Sequence, residues 1–181
     1  SALATSSDVL LYRHSEGIST PSIWNGLFRP VSKQFPLTSL LNGKRSKAIT
    51  YDIQRKRLYI LNNVGLFYLN PDGEEHEIVD NNRSIQAERI VMAAQYLYLL
   101  NYSGQLVRYD GYQFSIVASI KDRVFDVKSF GNYLILKTAK GLEQYDPIAN
   151  HSTILRTDLH VSTVKDFIHT ADKGLLVATN E

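Results

Sequence analysis

This sequence predicts an all-β chain assembled from repeated small sheets, on three observations. Apolar runs of 4–6 residues alternate with turns rich in Gly, Asn, Asp and Pro, helix-period patterns are nearly absent, and a leucine–aliphatic–glycine signature recurs at near-constant spacing. Short apolar runs bounded by turn residues are the strand signature. A fixed period of about 40 residues marks an internal repeat.

The signature reads Leu58-Tyr59-Ile60-Leu61-Asn62-Asn63-Val64-Gly65, then Leu97-Tyr98-Leu99-Leu100-Asn101-Tyr102-Ser103-Gly104, then Leu134-Ile135-Leu136-Lys137-Thr138-Ala139-Lys140-Gly141. The glycines stand 39 and 37 residues apart, and Leu175–Asn180 begins a fourth copy. Before each copy lies a short strand (48–53, 90–94, 124–129, 164–169), and after each glycine an apolar strand runs into a turn: Asn70-Pro71-Asp72-Gly73, Asp110-Gly111 or Asp146-Pro147. One repeat is therefore strand, tight turn, strand, glycine turn, strand, turn, strand. Glycine suits the tight second-to-third connection because it accepts positive φ cheaply.

A four-stranded antiparallel meander of this length is the blade of a β-propeller. A single blade would leave two apolar faces wet, so blades must stack. The expected blades cover 47–79, 88–117, 122–155 and 163–181, within one propeller region spanning 1–181. Two arrangements fit. In a small closed ring of four blades, Val9–Gly17 supplies a third strand to the last blade, pairing residues 8–13 with 163–181 and removing open edges. In the other, the chain is part of a larger ring of six to eight blades. Residues 18–45 break the period as an irregular insertion that holds the only tryptophan, Trp24, with Phe28, Pro30 and Phe35.

Composition excludes several classes. The 181 residues carry 20 basic and 18 acidic side chains, a net charge of +2, which argues against a dedicated nucleic-acid surface. Without cysteine there is no disulfide and no thiolate metal site. No stretch approaches the 18 or more apolar residues of a membrane span, so this segment itself makes no membrane contact. The five histidines (14, 76, 151, 160 and 169) lack metal-ligand spacing and acidic partners. There is no nucleophile elbow, phosphate loop or calcium loop, and Asn70-Pro71-Asp72-Gly73 reads as a β-turn. No catalytic residue, metal site or cofactor is expected, and the chain reads as a non-enzyme.

Gly141-Leu142-Glu143-Gln144-Tyr145-Asp146-Pro147 resembles the "GL..YDP" blade ending of the two-component regulator propeller family. Val164–Thr179 is similar to that family's "V..i..d..G.lWigT" front half, and Leu11-Tyr12-Arg13-His14-Ser15-Glu16-Gly17-Ile18-Ser19 to its "F.hyt.edGLs" opening. The first two copies of the signature depart from the pattern, with Tyr59 and Tyr98 in place of its tryptophan and Asn62 and Asn101 in place of its threonine. The resemblance implies a periplasmic, extracytoplasmic sensor region of a membrane-bound histidine kinase or hybrid regulator. Such regions bind a small molecule or oligosaccharide and relay the signal through dimer geometry, which admits a homodimer.

Propeller geometry places the starts of the first strands and the second-to-third connections at one face. Lys47, Arg89, Arg123, Asn62, Asn101, Tyr102, Lys137 and Asn180 project there, and cations and amides converging on a funnel suit an acidic or hydroxyl-rich ligand such as a charged sugar. Trp24, on the insertion, is a further candidate contact. The competing reading is a protein-interaction scaffold that uses the disc face or rim.

Overall fold

A computed structural model describes residues 2–4, 9–13, 17–21, 28–30, 46–70, 72, 74–156, 162–170 and 174–179, with side-chain detail beginning at Lys47. Every regular element among the described residues is a strand. The chain divides into two compact units, Ser1–Ile90 and Val91–Glu181.

The first unit opens with β1 (Ala2–Ala4), β2 (Val9–Arg13), β3 (Gly17–Pro21) and β4 (Phe28–Pro30), an antiparallel sheet in chain order. This corrects two expectations. Residues 9–13 do not complete the last blade: Leu11 stands opposite Ala2 on one side and Ser19 on the other. Partners separated by only a few residues close far shorter loops than a partner at the other end of the chain, so loop entropy favours the local meander. Likewise the stretch 18–45 is not wholly irregular, since its start carries β3 and β4. Pro30 sits in the last strand of the sheet, where a missing N–H breaks no interior ladder. Trp24 lies outside the described residues.

The second sheet of this unit is β5 (Ser46–Asp52), β6 (Arg57–Asn62), β7 (Leu66–Leu69), β8 (Glu75–Asp80) and β9 (Arg83–Ser84). The extra strand β9 arises from a two-residue turn at Asn81-Asn82, with φ of 48° and 61°. Asparagine tolerates that left-handed conformation, and a turn with both φ values positive matches the twist of a hairpin.

The boundary between units falls inside β10 (Arg89–Ala93). This strand continues into β11 (Tyr96–Leu100), β12 (Leu106–Tyr109) and β13 (Phe114–Ile116). The next sheet is β14 (Val124–Phe130), β15 (Tyr133–Thr138), β16 (Gly141–Asp146) and β17 (His151–Arg156). A two-stranded sheet follows, β18 (Val164–Thr170) and β19 (Gly174–Thr179).

Burial explains the leucine runs. Leu58 to Asn62 of β6 and Leu97 to Leu100 of β11 are buried without interruption, whereas β8 buries Ile78 alone. A strand covered on both faces reads as a continuous apolar run, and one with a wet face alternates. In the second unit Leu134 and Leu136 of β15 pack with Tyr98, Leu100, Val124 and Tyr145. Ile135, between them, packs the opposite way against Leu142, Val164 and Phe167. The period-2 pleat thus sends successive residues into two different cores, each fully buried leucine contributing about 1.5–3 kcal/mol.

The turns repeat as well. Asp110 Oδ1 accepts the N–H groups of Tyr112 and Gln113 at 2.8 and 3.0 Å, and Asp146 Oδ1 those of Ile148 and Ala149 at 2.8 and 3.1 Å. The Tyr-Asp dipeptide is thus a strand end followed by a side-chain-capped turn. The signature glycines divide. Gly104 and Gly141 have the expected positive φ, 82° and 118°, but Gly65 does not. At Gly65 an added Cβ would lie 3.2 Å from Glu77 Oε1, the end of an exposed, flexible side chain, and 3.5 Å from Phe67 and Ser84, so the site is snug without a conformational demand.

Candidate functional site

Within each unit the described candidate residues lie at or beside the strand ends where first strands begin and second strands finish. In the first unit, Ser46 pairs with Asn62 and Ala48 with Leu61, so half-buried Lys47 occupies a β-bulge beside Asn62. Asn62 is fully buried rather than open to a ligand. Its Oδ1 accepts the N–H groups of Val64 and Gly65 at 2.7 and 2.9 Å, and its Nδ2 has no hydrogen-bond partner among the described residues. Arg89 opens β10 and is exposed.

In the second unit Asn101 Oδ1 accepts the Gln105 N–H at 2.8 Å and the Ser103 hydroxyl at 2.7 Å, while its Nδ2 donates to Gln105 Oε1 at 3.2 Å. Thr138 takes the same place in β15: its Oγ1 accepts the Lys140 N–H at 3.2 Å and donates to buried Glu143 Oε1 at 2.6 Å. Asn62 and Asn101 therefore share with Thr138 the work of capping the second-to-third connection. That role was hidden in the sequence, where the position read as a ligand contact.

The structure brings Asn101 and Arg123 together through Gly104. The Gly104 N–H donates to the Asn101 carbonyl at 3.0 Å, and the Gly104 carbonyl accepts the Val124 N–H at 2.8 Å. Arg123 is exposed, its guanidinium 5.4 Å from the centre of the Phe125 ring. Tyr102, on the same connection, is about half exposed. Lys137 donates from Nζ to the Val164 carbonyl, tying β15 to the first strand of the next sheet. Asn180 lies outside the described residues.

Two features escaped sequence reasoning. One is the β-bulge that recurs in first strands, between Ser46 and Ala48, Val124 and Asp126, and Val164 and Asp166, setting Lys47, Phe125 and Lys165 at equivalent places. Bulges re-aim side chains and leave no single-residue signal in sequence. The other is the ion pair of Lys140 with Asp122 at 2.7 Å, whose hydrogen bond and charge hold the ammonium above the usual lysine range. Among the described residues no group of three or more His, Asp or Glu could hold a metal.

No protein-family model and no curated protein matches the chain. Solved structures do. The extracellular domain of the hybrid two-component system BT4673 from B. thetaiotaomicron aligns over 98% of this chain and 25% of its own, with a TM-score of 0.59 at 12% identity. The corresponding domain of BT3049 from the same organism aligns over 96% and 26%, with a TM-score of 0.54 at 17% identity. YCF48 bound to a D1 peptide aligns over 81% and 50%, with a TM-score of 0.56 at 15% identity. The chain spans from a quarter to half of these proteins' lengths. The likeness establishes the fold as an all-β propeller of about four blades.

Proposed function

We propose that the chain is part of an extracytoplasmic, ligand-sensing propeller from a membrane-bound two-component signalling protein, a non-catalytic module that binds a small, sugar-like ligand. The observation that carries this reading is the alignment of nearly the whole chain with extracellular domains of two hybrid two-component systems. The blade motifs Gly141–Pro147 and Val164–Thr179, which resemble the same family, support it from sequence. Such a domain works by differential affinity: a ligand that binds one arrangement of the sensor better shifts its population and so its output.

The test is a thermal-shift titration of the protein against neutral and acidic mono- and oligosaccharides. A saturable rise in Tm with one chemical class is expected, since a ligand that binds only the folded state stabilises it by mass action. No shift with any sugar would contradict the ligand reading. A scaffold role is the second reading, favoured by the comparable likeness to a propeller solved with a bound peptide. It predicts that extended peptides, not sugars, raise Tm.

A further inference from the structure

The second unit carries a preformed cation-and-ring surface at the strand ends described above. A Cβ at position 104 would lie 2.4 Å from Arg123 Cγ and 3.1 Å from its Nε, so the arginine stem lies flat on Gly104 because no side chain is there. The guanidinium is held over Phe125, which the bulge at Val124/Asp126 turns out of the ladder and leaves 42% exposed. The carboxylates on these strands are engaged elsewhere. Asp122 pairs with Lys140, Asp126 accepts the Val127 N–H at 2.9 Å, and Asp166 pairs with Lys128. Among the described residues no carboxylate pairs with Arg123.

We propose that Arg123, laid on Gly104 and stacked on Phe125, anchors the acidic group of a ligand whose apolar or ring face rests on Phe125, with Lys165 at the equivalent bulge of β18 adding a second cation. This inference rests on the reading of these strand ends as a ligand surface, and it names the ligand's chemistry as a carboxylate borne on a ring. A guanidinium presents paired donors matched to a carboxylate, and a fork already fixed by its stem and by an aromatic ring loses little freedom on binding.

The probe is benzoate, titrated into the whole protein at constant ionic strength while the backbone N–H resonance of Gly104, which lies against the Arg123 stem and is present in every variant, is followed by NMR. A saturable shift is expected from benzoate and none from benzyl alcohol, which has the ring without the charge. Arg123→Lys, which keeps the charge and loses the fork, should weaken binding at least fivefold. Phe125→Ala should weaken it about two- to fivefold, the range of an exposed cation–ring contact, with Tm unchanged in the arginine variant. A shift that rises linearly without saturating, one matched by benzyl alcohol, or equal affinity in Arg123→Lys would overturn the proposal. If sugars raise Tm while benzoate fails, this anchor falls and the sensor reading stands.

Discussion

At the scale of single residues, the glycines separate two kinds of constraint. Gly104 combines φ of +82° with a Cβ position 2.9 Å from the Val124 carbonyl oxygen and 2.4 Å from Arg123 Cγ, whereas Gly131, at φ +56°, faces open space. Gly104→Ala should therefore destabilise by about 2–4 kcal/mol, the left-handed penalty plus overpacking, and Gly131→Ala by only about 1–2 kcal/mol. Urea midpoints of the two variants check the order. Tyr98 poses a different question. It is fully buried, its hydroxyl has no hydrogen-bond partner among the described residues, and burial pushes its pKa well above the usual phenol value, as it does for Tyr59 and Tyr145. Below pH about 10 both folded and unfolded tyrosines are neutral. Above it the unfolded chain ionises first, so the stability present below that pH is lost as pH rises. Tyr98→Phe removes the unpaired hydroxyl. It should be neutral or stabilising by about 1 kcal/mol at pH 7 and should flatten the alkaline loss, read from urea midpoints at pH 7 and pH 11.

At the scale of elements, the connections carry the specificity. The hairpin joining β10 and β11 turns on Ala94 and Gln95, at φ of 44° and 72°, although neither residue favours that region. Replacing the pair with Asn-Gly should stabilise by about 1–2 kcal/mol by relieving a left-handed penalty at each position, seen as a rise in Tm of several degrees. The connection after β15 depends on one hydroxyl. Thr138→Val would strip the Glu143 carboxylate and the Lys140 N–H of their partner and should cost about 1–3 kcal/mol, while Thr138→Ser should recover most of it in the same thermal melts. Strands β6, β11 and β15 were legible because each carries an unbroken apolar run ending at a polar cap. Of the sheet β1–β4 only the strand at residues 8–13 was legible, and with the wrong partner, since Ile18–Pro21 and Phe28–Pro30 are short and end in prolines, and the period that exposed the other sheets is absent there. Strand β9 escaped notice for a related reason: two polar residues become a strand only because Asn81-Asn82 accepts positive φ twice.

At the scale of the whole molecule, the repeat made the all-β propeller readable because the same leucine, aliphatic and glycine positions recur and each has a physical cause. The candidate site was less legible. Lys47, Arg89, Arg123 and Lys137 could be placed at strand ends from the repeat alone, but sequence could not tell a side chain spent on its own backbone from one presented to solvent. Asn62 and Asn101 serve turns, and Lys137 holds the Val164 carbonyl. Phe125 went unseen because a bulge in its strand, rather than its residue type, sets its direction.

In the sheets of β6, β11 and β15 the second strands are enclosed on both faces while the fourth strands stay wet. Native-state hydrogen exchange reads that directly, since protection follows the free energy of local opening. Maxima of protection are expected at Arg57–Asn62, Tyr96–Leu100 and Tyr133–Thr138. Between them, minima should fall at Glu75–Asp80, Phe114–Ile116 and His151–Arg156. Protection that is uniform along the chain, or strongest in those fourth strands, would contradict that enclosure.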